Sequence, residues 1–154
     1  MTDTQLDKLN KILKENNANY SIYTDSVNVR SAQEGADLYN IHLSETTPTL
    51  ILKTKEKYYA AIICGNSRIS FKKLKKALDI QSISMADPQT VLALTGAQVG
   101  EISLINCDIT TLVDIHVLNN KDCYGGCGIP NKTLRINTQD LIRITGAEVL
   151  DFSE

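Results

Sequence analysis

The amino-acid sequence predicts a mixed α/β fold, with a curved mixed β-sheet or partial barrel surrounded by helices. Segments with helical apolar spacing are interleaved with segments of alternating spacing, without the steady alternation of a doubly wound sheet. Most strand candidates are short, and polar, glycine and proline signals separate them. No internal repeat, low-complexity tract or change of composition marks a linker, so residues 1–154 are expected to form one domain.

The elements follow in order. Leu6, Leu9, Ile12 and Leu13 recur at helical spacing and predict an amphipathic helix over residues 4–16, stopped by "NNAN". "YSIYT" alternates like a strand. Ser31 with Glu34 fits a capping box and opens a helix from 32 to about 40. "TPTLILKTKEKYYAAIIC" reads as two strands joined by a charged turn at Thr54 to Glu56. Ser70 is placed to cap a helix through Leu78, and "SISM" is a short strand. Asp87, Pro88 and Gly96 bracket the clearest helix: cap, first helical position and left-handed stop. "EISLINC", "TLVDIHVL" and "KTLRI" are strand candidates. A last helix runs from about Thr138 to Thr145, stopped by Gly146, and "EVLDF" is a final strand.

Composition narrows the function. The charged share is 22% and the net charge −2, so no global basic field points to nucleic acid, although a local basic patch would serve an RNA end. Lys72, Lys73, Lys75 and Lys76, and Lys53, Lys55 and Lys57, form two such clusters that solubility explains equally well. No apolar run approaches the roughly 18 residues of a membrane span. The polar N-terminal stretch lacks the pattern of a signal peptide, and a cytoplasmic location is expected. The four cysteines are then expected as free thiols.

"CYGGCGIP", residues 123 to 130, admits three chemistries. A structural zinc site usually shows two short cysteine or histidine pairs, and only Cys123 with Cys127 is present. A thioredoxin-type redox pair needs C-x-x-C at a helix start, and here three residues intervene. A cysteine nucleophile needs a base, and His116 lies in an apolar alternating stretch where a structural role is commoner. The glycines give the most economical reading. Gly125, Gly126 and Gly128 permit positive φ and close approach of backbone to a ligand, and bare N–H groups in such a turn suit an oxyanion. Gly96 and Gly100 form a second glycine segment. At both places a turn or helix stop without further function fits the spacing as well.

Taken in order, "PTLILK", "IICGNSRISFKKLKKAL", "SMADPQTVLALTGAQVGEIS", "LVDIHV" and "YGGCGIPNKTLRINTQDLIRITGAEVLDF" resemble the YbaK/prolyl-tRNA synthetase-associated domain family over about residues 20 to 152. The resemblance implies hydrolysis of the ester that links a wrong amino acid, such as Ala, Cys or Ser, to tRNA. Backbone donors and a ribose hydroxyl or water do the work, with no cofactor or metal. It implies the acceptor end of aminoacyl-tRNA and an aminoacyl-tRNA synthetase as partners. Carried over by position, Gly96, Gly100, Ser103, Gly125 and Gly126 are the expected catalytic residues. Lys53, Asp114 and Gly128 are the expected substrate-binding residues, and Asp140–Leu141 falls at the start of the last helix.

The chain departs from the family pattern at three places. The lysine before the "TLL"-like strand is Pro48, a glycine after Gly100 is Glu101, and a proline is Leu104. Lys53 lies five residues beyond Pro48, on the opposite strand face, and replaces that lysine only through a bulge or shifted register. The alternative is a non-catalytic module of the same fold that holds a small amino acid or a tRNA end. A cysteine-based redox or metal protein is the third reading.

Overall fold

The computed structural model describes residues 3–154. Among them, α1 (Asp3–Glu15), β1 (Tyr20–Thr24), α2 (Ala32–Tyr39), β2 (Thr49–Lys53) and β3 (Tyr58–Ile62) come first. Then follow α3 (Phe71–Leu78), β4 (Ser84–Met85), α4 (Pro88–Thr95), β5 (Thr110–Asp114), β6 (Asp122–Gly126), β7 (Lys132–Asn137), α5 (Thr138–Thr145) and β8 (Glu148–Leu150). Short 3-10 turns precede β2 and follow β5.

The helix ends form as their residues dictate. Ser31 accepts from Glu34 N–H at 3.2 Å, while the Glu34 carboxylate accepts from Arg30 N–H at 2.8 Å. Ser70, Asp87 and Asn137 each accept a backbone N–H three residues on. Gly96 (φ 75) and Gly146 (φ 65) close α4 and α5 in the left-handed conformation, where a Cβ is disfavoured. Asp79 and Asn40 take the same conformation after α3 and α2.

The strands form two sheets. The larger has the order β4-β2-β3-β5-β8 and is mixed: β2 pairs antiparallel with β3 and β4, and β5 pairs parallel with β3 and β8. The smaller, β1-β7-β6, is antiparallel. The fold is thus mixed α/β as expected. The sheets divide because β6 presents its free edge to two separate segments. Thr47 N–H donates to Tyr124 C=O at 2.8 Å. Further along, Leu104 N–H donates to Gly126 C=O at 3.1 Å and Gly128 N–H to Glu101 C=O at 2.9 Å. An edge that would otherwise expose unpaired backbone groups is covered in this way.

Three expected elements differ. "EISLINC" forms no strand; it joins β6 by the bridge between Ser103 and Gly126 and otherwise turns. "TLVDIHVL" is a strand only to Asp114, whose carboxylate accepts from His116 N–H at 3.2 Å and starts a 3-10 turn instead. "DCYGG", expected as a glycine loop, is strand β6. Its glycines serve close packing: a Cβ on Gly125 would meet Leu104 Cγ at 2.7 Å, and one on Gly126 would meet Ile102 C=O at 2.4 Å. Of these three glycines, only Gly128 takes a positive φ, at 87°.

The core is layered around the sheets. Leu9 and Leu13 of α1 pack with Leu104, Val113, Leu134, Ile136 and Leu141 between the smaller sheet and its helices. Leu52, Ala61, Leu74, Leu112 and Phe152 fill the space under α3. Ile51, Ala60, Val91 and Ile102 seat α4 on the larger sheet. No helix among the described residues is long and apolar enough to cross a membrane.

Candidate functional site

A cleft of about 560 Å³ opens where the two sheets meet. It is lined by the segment from Thr46 to Leu50 that leads into β2 and by Val99 to Ile102. Tyr124, Gly125 and Gly126 of β6 lie along the base. Residues 28–32 and 129–133, with Tyr39 of α2, complete the rim. The Thr47–Tyr124 and Leu104–Gly126 hydrogen bonds hold these walls to one strand, so β6 sets the width of the cleft.

The expected site residues divide. Gly100, Gly125 and Gly126 line this cleft. Gly100 is exposed with φ 93, and nothing lies within 4 Å of where its Cβ would stand. Among the described residues its N–H has no hydrogen-bond acceptor. Gly96 and Gly128 line an adjoining hollow with Gln5; this hollow shares Glu101, Ile129 and Pro130 with the cleft. Their N–H groups donate to Leu92 and Glu101, so neither amide is free for a ligand. Ser103 Oγ accepts from Ile105 N–H at 3.1 Å and serves a turn beside the cleft.

Two expected substrate-binding residues lie elsewhere. Lys53 is exposed at the far end of β2, paired with Tyr58 and Ser84. Pairing with β3 is continuous from Thr49 to Lys53, so no bulge carries Lys53 round to the face of Pro48. Asp114 is fully buried. Its carboxylate accepts from Phe152 N–H at 2.9 Å, Ser153 N–H at 3.0 Å and Ser153 Oγ–H at 3.0 Å, and meets His116 Nδ1 at 2.8 Å. Asp114 therefore ties the end of the chain to β5. Asp151 also lies close enough to share a cation with Asp114 and His116, but Lys73 Nζ is 3.3 Å from its carboxylate. Ser153, His116 and Asp114 form no nucleophilic triad, because the serine and the aspartate both meet the same ring nitrogen.

The cysteines are free, and three of the four are buried. Burial pushes the Cys123 thiol up to about 11 and the Cys127 thiol up to about 12. A thiolate is the species that attacks carbon or binds metal, and both sites disfavour it. "CYGGC" is thus a packing motif with its sulfurs in the core.

Sequence reasoning missed much of the rim. Arg30 and Lys132 bring the cleft's positive charge, from residues over a hundred positions apart. The Arg30 guanidinium has no partner among the described residues, and Lys132 Nζ donates to Thr24 Oγ1 at 2.6 Å. Tyr39 and Tyr124 stand with ring centroids 6.5 Å apart and an interplanar angle of 31°. Tyr39 O–H donates to Asp25, which also accepts from Thr133 Oγ1 at 2.8 Å. Burial and the Asp25 carboxylate push the Tyr39 phenol up to about 12, so it stays a neutral donor. "TTPT", residues 46–49, was the one available signal: four small or rigid residues where a buried strand would start.

Comparisons with known proteins bear on the family and the fold. Residues 26–144 match the family described as aminoacyl-tRNA editing domain. The proline–tRNA ligase of Thermosipho africanus is 27% identical over 92 residues, covering 60% of this chain and 16% of that one. That of Caldicellulosiruptor saccharolyticus is 29% identical over 112 residues, covering 73% and 19%. The chain thus matches less than a fifth of the length of these relatives. Among solved structures, hypothetical protein APE2540 superimposes with a TM-score of 0.89 at 29% identity, covering 96% of this chain and 99% of that one. A candidate trans-editing enzyme for prolyl tRNA synthetase gives 0.84 at 20% identity over 97% of each chain, a likeness of fold. With three quarters of its residues inside the family match and its motifs in the family's order, the chain belongs to the YbaK-like aminoacyl-tRNA editing domain family.

Proposed function

We propose that this chain is a trans-acting aminoacyl-tRNA deacylase that hydrolyses the ester of a small amino acid on the wrong tRNA. The observation that carries this is the free Gly100 N–H beside an open cleft. Attack on the ester carbonyl by water, oriented by a neighbouring ribose hydroxyl, gathers negative charge on the carbonyl oxygen, and the water proton ends on the departing ribose oxygen. A fixed amide donor aimed at that oxygen lowers the barrier with no side chain involved. The bond to the ribose oxygen then breaks, and the amino acid leaves as its carboxylate. Editing of this kind is needed because one methylene is worth only about 1–3 kcal/mol of discrimination at a synthetase.

The charges in the cleft suit the two ends of such a substrate. Glu101 lines it and has no side-chain partner among the described residues, an anion suited to the α-ammonium. It leaves the cleft open, so the family glycine that it replaces is not required for access. Arg30 and Lys132 supply cations for a terminal phosphate in place of the lysine that Pro48 replaces.

The test is a panel of misacylated tRNAs incubated with the purified chain and with Gly100→Ala. Release of at least one amino acid above buffer is expected, and the alanine variant, strained at φ 93, is expected to lose about tenfold or more. No release across the panel overturns the reading. Pro48 at the cleft wall favours one other reading, a module that binds without hydrolysis; it predicts retention of aminoacyl-adenosine analogues with no release.

A further inference from the structure

We infer that the lysine-rich end of the larger sheet is a docking surface for double-stranded RNA, the acceptor stem of a tRNA, held through its phosphates. This rests on the deacylase reading above and extends it from the aminoacyl end to the stem behind it. Charge is spread unevenly along the chain. Residues 53–79 hold eight of the 16 lysines and arginines but only two of the 18 aspartates and glutamates, Glu56 and Asp79. A surface made for solubility intersperses both signs. A patch of one sign in a chain of net charge −2 points to a polyanion.

The fold brings these residues together. Leu74 and Leu78 seat α3 against Leu50 and Leu52 of β2, which leaves Lys72, Lys73, Lys75 and Lys76 exposed. Asp79 ends α3, and the chain then returns to Ser84, which pairs with Lys53 of β2. The last turn of α3 and the β2–β3 hairpin, with Lys53, Lys55 and Lys57, thus lie at the same end of the sheet. Lys73 is engaged by Asp151 at 3.3 Å, Lys57 Nζ donates to Thr110 Oγ1 at 2.6 Å, and Lys53 is near the Asp87 carboxylate. Lys55, Lys72, Lys75 and Lys76 have no carboxylate partner among the described residues. Their placement works against the fold. Lys72 stands in the first turn of α3, where the helix dipole disfavours a cation, and Lys72 and Lys76 are like charges at neighbouring positions of one helix face. A bound polyanion relieves both. Position favours RNA over an acidic protein. Lys53 lies about 13 Å along β2 from Thr49 of the cleft. The unpaired end of a tRNA is several nucleotides long, so a stem resting here leaves its terminal nucleotide within reach of the cleft. Arg30 and Lys132 meet phosphates of that unpaired end, and the stem needs cations of its own. Phosphate contacts fix orientation without reading sequence, which leaves selection to the cleft.

The experiment measures binding of an uncharged acceptor-stem minihelix, and of its unpaired 3′ end as a separate single strand, by fluorescence anisotropy over a range of potassium chloride. The patch variant combines Lys55→Ala, Lys72→Ala, Lys75→Ala and Lys76→Ala. It is expected to bind the minihelix about tenfold more weakly and to lower the slope of log affinity against log salt by about 3, with the single strand unchanged. The control variant combines Lys8→Ala, Lys11→Ala, Lys14→Ala and Lys121→Ala, which removes the same charge from other exposed positions. It is expected to shift minihelix binding by less than about twofold. Should the patch variant fail to fold, Lys55→Ala with Lys72→Ala, and Lys75→Ala with Lys76→Ala, are each expected to lower the slope about half as much. Equal losses in the patch and control variants, or on minihelix and single strand, overturn the proposal. So does failure of wild type to bind the minihelix. Unchanged minihelix affinity in the patch variant overturns it too and leaves the lysines to an acidic protein. A loss confined to the minihelix, with no amino acid released from any tRNA, keeps the docking surface and removes the deacylase activity instead.

Discussion

Asp114 illustrates how a buried charge is kept. Burial raises its pKa, but the hydrogen bonds from Phe152 N–H, His116 and Ser153 outweigh burial and hold it below the ordinary carboxylate range. The folded chain therefore favours the charged form. The stability gained is present above the unfolded value near pH 4 and is lost as pH falls through the lower folded value. Thermal melts are expected to fall on acidification below about pH 4. Asp114→Asn should melt lower at pH 7, by about 2 kcal/mol, and with a flatter acid limb. An unchanged acid limb in the variant would assign the effect to other carboxylates. The cysteines give a second check at this scale. Cys107 is exposed, while Cys123 and Cys127 are buried with thiols near 11 and 12. Brief alkylation at pH 8 should label Cys107 in the native chain and reach Cys123 and Cys127 only after denaturation, as read by mass spectrometry.

At the scale of elements, β6 is where local sequence and fold disagree. "DCYGG" has poor strand propensity, yet it pairs over five residues with β7. On its other edge the segment 101–104 approaches closely, by its backbone at Gly126 and by the Leu104 side chain at Gly125, which is why glycine stands at both. Leu104, where the family pattern has proline, lies over Gly125, and its N–H donates to Gly126 C=O, a bond that proline would forfeit. The two glycines predict unequal variants. A Cβ at 125 meets the buried Leu104 side chain; a Cβ at 126 meets the carbonyls of Ile102 and Glu101 at 2.4 and 2.9 Å, backbone atoms that yield less readily than a side chain. Gly126→Ala should cost about 1–3 kcal/mol in denaturant titration and Gly125→Ala clearly less. Equal losses would mean that the seam is looser than its contacts indicate. Loss of activity in Gly126→Ala would then report a disturbed cleft wall, whereas Gly100→Ala keeps the N–H and probes the backbone conformation that orients it.

Across the whole molecule, the net charge of −2 leaves attraction of RNA to a local patch. Arg30 and Lys132 at the rim are the cations placed for it. The KM for misacylated tRNA is expected to rise with salt, and Arg30→Ala with Lys132→Ala should raise it severalfold with little change in kcat. The same pair should leave an aminoacyl-adenosine ester, which lacks the phosphates, unaffected. A kcat defect on that small ester would place the cations in the chemistry instead.

Much of this was legible in the sequence. Helix ends at Ser31, Ser70, Asp87, Gly96 and Gly146, and the strands around 49–53, 58–62 and 132–137, follow from capping and alternation, which act between near neighbours. Membership in the editing family was legible in the order of motifs. Tertiary structure alone decided which glycines share a hollow, that Lys53 and Asp114 stand away from it, and that Thr49, Arg30 and Lys132 belong to it. Those relations depend on the seam that β6 makes with segments about twenty and eighty residues upstream. Pairing across such distances is set by backbone hydrogen bonds and volume filling, neither of which leaves a local pattern.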